Sequence, residues 1–255
     1  MNQSHCWSLF AFRFLLPASC FLLLLSACVS QPLTVTREPV TLHLVAADSC
    51  GPLTEELAAA YEEARPWVTV RVKVFNSSVA ERTLRAGEAD LALLSWLQET
   101  TSEGQERLWS QSFARDGIAV IVHPAMPFTE TGLAHLQDIF RGRVQEWGGL
   151  MLTVVSREEG SGTRAVFDKM VLDVHRVTLN GAVMPSSEAV VEYVARTPGS
   201  IGYVSTLRIT ESVVNSVRVL PVEGVSMRIP PMPSPHRAPT PERPRPAMAT
   251  PHPTL

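Results

Sequence analysis

Between Val40 and Val204 the chain alternates stretches of strand periodicity with stretches of helical periodicity, and few architectures accept that alternation. Val40–Ala46 reads as a strand, and Thr54–Ala64 places Leu57, Ala58, Tyr61 and Ala64 at helical spacing. Arg65-Pro66 stops that helix, because the residue before a proline is pushed out of the helical region. Trp67–Phe75 then alternates Val68, Val70, Val72 and Val74, a strand pattern. A second helix is predicted from Asn76-Ser77-Ser78, with Ser78 and Glu81 spaced as a capping box and Gly87 at its end. Asp90–Leu94 reads as a short buried strand, and Gly117–His123 as an apolar strand closed by Pro124. Helices are predicted over Leu133–Phe140 and Ser187–Arg196, and a Pro198-Gly199 turn leads into the strand Ser200–Val204. Strands separated by crossover helices imply an α/β fold in which helices cover a largely parallel sheet.

Ligands of such sheets bind beyond the carboxyl ends of the strands, close to helix N-termini. Hydroxyl residues recur at those positions: Asp48-Ser49 after the first strand, Asn76-Ser77-Ser78 after the second and Ser95 after the third. Ser161-Gly162-Thr163 follows the apolar strand Leu152–Val155 and opens the helical spacing of Arg164–Val171. The free N–H groups and dipole of a helix start suit an anion, and Arg157, just upstream, adds a planar fork for phosphate or carboxylate oxygens. Taken singly, each serine is better explained as a cap or turn residue. Together they describe a polar cage with one cation and no obvious general base.

The ends of the chain differ from its middle. Arg13 precedes an apolar run from Phe14 to Leu25, interrupted at Pro17–Cys20 and too short to span a bilayer comfortably. It ends in Leu25-Ser26-Ala27-Cys28, which resembles a bacterial lipobox, so residues 1–27 are expected to be a lipoprotein signal peptide. Cys28 is then the lipidated, membrane-anchoring N-terminus, followed by a linker at 28–37. Cys50 alone remains for the globular part, which therefore forms no internal disulfide, and it is expected to be a small buried residue. Pro230–Leu255 is dominated by proline and poor in large apolar residues, and is expected to be a disordered tail. The net charge of −3 and the lack of an aromatic-interleaved basic patch argue against nucleic acid. No Cys or His pair has metal-ligand spacing, and neither a Gly-x-Ser-x-Gly elbow nor a phosphate loop ending in Gly-Lys-Ser/Thr occurs, so neither metal, cofactor nor enzymatic activity is expected.

Four segments, in this order, resemble one family. Gly87–Ala92 matches a Gly-x-x-Asp-hydrophobic-Ala segment, and Ile139–Trp147 resembles an Ile-Phe-x-Gly-x-hydrophobic-x-x-Trp signature. Arg157–Thr163 matches an Arg-x-x-x-Ser-Gly-Thr phosphate motif, and Pro198–Tyr203 a Pro-Gly-x-Ile-Gly-Tyr strand. All four are features of the substrate-binding proteins of bacterial phosphate ABC transporters, and the likeness covers most of residues 40–228. It implies a two-lobed α/β fold of the type II periplasmic-binding-protein class, with mixed, mostly parallel sheets and a hinge. Lobe 1 would comprise about 38–123 and 204–229, and lobe 2 about 124–203. The resemblance also implies that Ser49, Ser77, Ser95, Arg157, Ser161, Gly162 and Thr163 contact inorganic phosphate or a similar oxyanion, with Ser78 competing with Ser77. It implies a monomer on the extracytoplasmic face that serves permease subunits. Molybdate, tungstate or sulfate binding, and a sensor role without transport, remain open alternatives.

Three departures from the family pattern stand out. Trp96 occupies the place of a charged residue, so the cage is expected to lack a carboxylate acceptor and to discriminate poorly between protonated and fully ionised oxyanions. Asn76-Ser77-Ser78 replaces a Gly-Ser-Gly loop, and Pro-rich sequence follows Leu220–Val225 where further ordered chain is usual.

Overall fold

The computed structural model describes residues 37–97 and 108–225. The signal, Cys28, most of the linker and the Pro-rich tail lie outside the described residues.

A three-stranded sheet has the order β2-β1-β3, from β1 (Val40–Ala47), β2 (Val68–Phe75) and β3 (Leu91–Leu93). Strands β1 and β3 run parallel, with Ala46 opposite Leu93. Helix α1 (Gly51–Ala64) follows β1 through a 3-10 turn at Asp48–Cys50, starting three residues before the predicted Thr54 because Pro52 suits a first helical turn. Helix α2 (Ser77–Arg85) follows β2. Its cap is Asn76, whose side chain accepts from Val79 N at 2.9 Å, and not the predicted Ser78. Glu81 pairs instead with Arg85, one turn along the helix, at 2.8 Å. Strand β3 is an edge strand, so Leu91, expected to be buried, is 46% exposed, and only Leu93 turns inward.

A five-stranded sheet has the order β10-β4-β9-β7-β8. Its strands are β4 (Ile118–Val122), β7 (Thr153–Arg157), β8 (Ala182–Met184), β9 (Ser200–Ser205) and β10 (Arg218–Val219). β4 is antiparallel to β9 and β10, whereas β7 is parallel to β8 and β9. Val120 and Val122 of β4 face one core, with Phe140, Phe167 and Tyr203, while Ala119 and Ile121 face a second, with Val190 and Val194. That two-residue alternation lets helices cover both faces of the sheet. Helix α3 (Leu133–Phe140) supplies Leu136, Ile139 and Phe140 to the first core, and α5 (Ser187–Arg196) supplies Val190 and Val194 to the second. The expected boundaries at 123 and 204 grouped β4 and the segment after Val204 with the first sheet. In the structure both β4 and β10 pair within the five-stranded sheet, where the apolar β4 lies beside β9, a strand buried on both faces.

Between α3 and β7, Gly148 and Gly149 join β5 (Glu146–Trp147) to β6 (Leu150–Met151). Their φ values of 60° and 80° fit the two-residue hairpin turn that glycine permits. Helix α4 (Gly162–Phe167) continues as a π-helical turn, Asp168–Leu172. A 3-10 turn at Thr206–Arg208 and helix α6 (Glu211–Ser216) connect β9 to β10.

Candidate functional site

The carboxyl ends of β1, β2, β3 and β7 converge on one small polar cleft. It is lined by Ala47, Asp48, Ser49, Asn76, Ser77, Ser95, Arg157, Ser161, Gly162 and Thr163. All seven residues singled out in the sequence are therefore brought together.

Local structure places each group. Ser49 is buried in the 3-10 turn after β1, and Ser77 is buried in the first turn of α2. Ser95 follows β3, and its hydroxyl lies 3.3 Å from that of Ser77. Ser161 caps α4, accepting from Arg164 N at 3.3 Å, which leaves the N–H groups of Gly162 and Thr163 in the first helical turn without an intrahelical acceptor. Gly162 leaves no room for a side chain. A Cβ there would collide with the hydroxyls of Ser77 and Ser95 and meet Trp96 N at 3.1 Å. Around the cleft, Ser78 N donates to Gly160 O at 3.0 Å, and Lys169 Nζ lies 5.1 Å from the Trp96 ring centroid.

Arg157, at the end of β7, is 1% exposed. A guanidinium carries five N–H donors in a planar fork, and here five protein acceptors meet it. Nε and Nη2 donate to the two oxygens of Glu158 at 2.9 and 3.1 Å. Nη1 donates to Asp48 Oδ2 and to Ser187 Oγ, each at 2.8 Å, and Nη2 also reaches Pro185 O at 3.4 Å. A buried cation without such partners would be strongly destabilising.

Asp48 corrects two expectations: the cage does contain a carboxylate, and Arg157 is not the only cation near it. Oδ2 also accepts from Ser187 N at 3.0 Å and from Ser187 Oγ at 2.5 Å, while Oδ1 accepts from Arg208 Nη2 at 3.0 Å. Burial pushes this carboxyl upward, but the Ser187 hydrogen bonds and the Arg157 and Arg208 charges outweigh it and hold the group below the ordinary aspartate value. Its position was legible, since Asp48 stands directly before Ser49 at the first strand end. Its partners Ser187 and Arg208 come from remote segments, and no spacing in the sequence announces them. Behind Arg157, Tyr203 Oη lies 2.8 Å from Ser156 Oγ and accepts weakly from Arg157 N at 3.4 Å, anchoring β7 to β9.

Cys50 is buried and free, and burial raises its thiol pKa, consistent with the expected packing role. Among the described residues no His, Cys, Asp and Glu cluster could hold a metal ion, and no helix is long and apolar enough to cross a membrane.

The chain is 27% identical over 195 residues to the phosphate-binding protein PstS of Bacillus subtilis, an alignment covering 72% of this chain and 62% of that protein. This chain thus spans under two thirds of that relative's length. A Clostridium perfringens structure with bound phosphate, described as a candidate phosphate ABC transporter substrate-binding protein, superposes with a TM-score of 0.64 at 27% identity. The superposition covers 73% of this chain and 77% of that one. The fold also recurs in the CcmR regulatory domain of Synechocystis PCC6803, with a TM-score of 0.56 at 21% identity over 72% and 81% of the two chains. Residues 34–228 match the PBP superfamily domain, and the chain belongs to that family.

Proposed function

We propose that this chain is an extracytoplasmic solute-binding lipoprotein that captures inorganic phosphate between its two sheets for delivery to an ABC permease. One observation carries the reading: seven residues from four separate strand ends meet in a single cleft that is rich in donors. The relatedness to phosphate-binding PstS proteins supports the ligand class. Ser77, Ser95 and Thr163 hydroxyls and the N–H groups at Gly162 and Thr163 supply neutral donors, which bind an oxyanion without adding charge. Arg157 supplies the countercharge. Closure of the sheets about a hinge buries the ligand, and the tight approach at Gly162 is the contact that opening would release. Cys28, outside the described residues, carries the lipid anchor, and the protein acts as a monomer that binds and does not catalyse.

Isothermal titration against phosphate, sulfate, molybdate and tungstate tests this reading. Phosphate is expected to bind most tightly, and tighter binding of another anion, or of none, overturns it. The shared fold of the CcmR regulatory domain keeps one other role in view, that of a sensor. Phosphate uptake by cells lacking the protein separates the two, because a sensor leaves the uptake rate of an expressed permease unchanged.

A further inference from the structure

The five acceptors around Arg157 leave it no vacant donor for a ligand. An oxyanion that contacts Arg157 must therefore displace one of them. Glu158, Pro185 and Ser187 stand outside the cleft lining, and Asp48 is the acceptor that forms part of its wall. Asp48 and Arg157 both line the cleft, and the Asp48 carboxylate accepts from Arg157 Nη1 at 2.8 Å.

A second observation shows where that carboxylate can go. Arg208 already holds Asp48 Oδ1 through Nη2 at 3.0 Å, yet its Nε is buried without a hydrogen-bond partner. Rotation of the Asp48 carboxylate away from Arg157 would bring Oδ2 onto that Nε and complete a two-point pair with Arg208, the geometry guanidinium and carboxylate favour. The exchange would satisfy a buried donor that is now unpaired and would release the Ser187 N–H and hydroxyl that Oδ2 now holds, freeing them for the entering anion.

We infer that Asp48 is an internal anion that occupies the site and yields to the ligand: it blocks Arg157 in the resting state and transfers to Arg208 when an oxyanion enters. This rests on the reading of the cleft as an oxyanion site. It gives Asp48 a specificity role as well. The carboxylate stays beside the ligand, so it sets an affinity threshold that weakly held anions such as chloride do not pass.

The test is titration of the full-length protein with inorganic phosphate in four forms: parent, Asp48→Asn, Arg208→Gln and the double variant. Asp48→Asn keeps the shape and removes the competing charge, so phosphate affinity should rise by at least about tenfold, the scale of one close charge pair. Arg208→Gln removes the alternative partner and should weaken phosphate binding severalfold while Asp48 is present. In the Asp48→Asn background the same change should have little effect, whereas general attraction of anions by Arg208 would weaken both backgrounds equally. Unchanged or weaker binding by Asp48→Asn overturns the inference while leaving the phosphate reading intact. Binding by Asp48→Asn without binding by the parent supports both. If no form binds any tetrahedral anion, both readings fall. Should Asp48→Asn not fold, Asp48→Ser takes its place in the same four-form comparison, with the same outcomes.

Discussion

The Tyr203 hydroxyl lies 2.8 Å from Ser156 Oγ, in a fully buried position directly behind the guanidinium-bearing end of β7. The ring stacks on Phe167 with centroids 3.9 Å apart, so one side chain ties β9, β7 and α4 together. Burial pushes its pKa up to about 12, against the smaller opposing effect of the Ser156 hydrogen bond. The folded-state value thus exceeds the unfolded one. The associated stability is fully present below about pH 10 and is lost as pH rises toward about 12, a difference of about 3 kcal/mol. Thermal unfolding between pH 9 and 12 should show a decline in that window that Tyr203→Phe lacks. A parallel decline in both proteins would remove Tyr203 as its source.

Gly162→Ala should leave the fold standing and disable binding. Alanine is a better helix residue than glycine, so the start of α4 gains locally. Its methyl group nevertheless meets the Ser77 and Ser95 hydroxyls across the cleft. Overpacking of this kind costs about 1–3 kcal/mol, here charged to closure and not to folding. Phosphate affinity should fall about tenfold or more with the melting temperature unchanged, and unaltered affinity would show that the two sides need not approach there.

Arg157→Ala should damage both stability and binding. Asp48 and Glu158 lose a buried cation, but Asp48 keeps Arg208 and Ser187 and Glu158 is partly exposed, so the cost should stay below the roughly 3–5 kcal/mol of an uncompensated buried charge. Phosphate affinity should fall by about 2 kcal/mol or more in whatever fraction folds. Parent-like phosphate binding by the variant would take Arg157 out of the site.

Cys28→Ser should move the protein from the membrane fraction to the soluble one, since acyl chains supply the anchoring area. Fatty-acid labelling that persists in the variant would refute lipid attachment at this residue.

How much of this was legible in the sequence follows from how local each feature is. The alternation of period-2 and helical spacing reports which face of each element is apolar, so α1, α3, α5, β2 and β9 could be placed from the chain alone. Strand ends with hydroxyls, and Arg157 ahead of Ser-Gly-Thr, are likewise contiguous signals, and the seven residues they pointed to do share one cleft. The cap of α2 was misplaced because Asn76 and Ser78 both suit the role, and the choice between them depends on which residue leaves helical geometry. Short strands such as β8 and β10 have too few residues for a period to show, and they are strands because β7 and β4 offer them hydrogen-bonding edges. What only the tertiary structure decided is the electrostatics. Asp48 and Arg157 are 109 residues apart, and Asp48 and Arg208 are 160 apart. A charge's partners depend on distance in space, and no pattern along the chain records which remote guanidinium a strand-end carboxylate will meet.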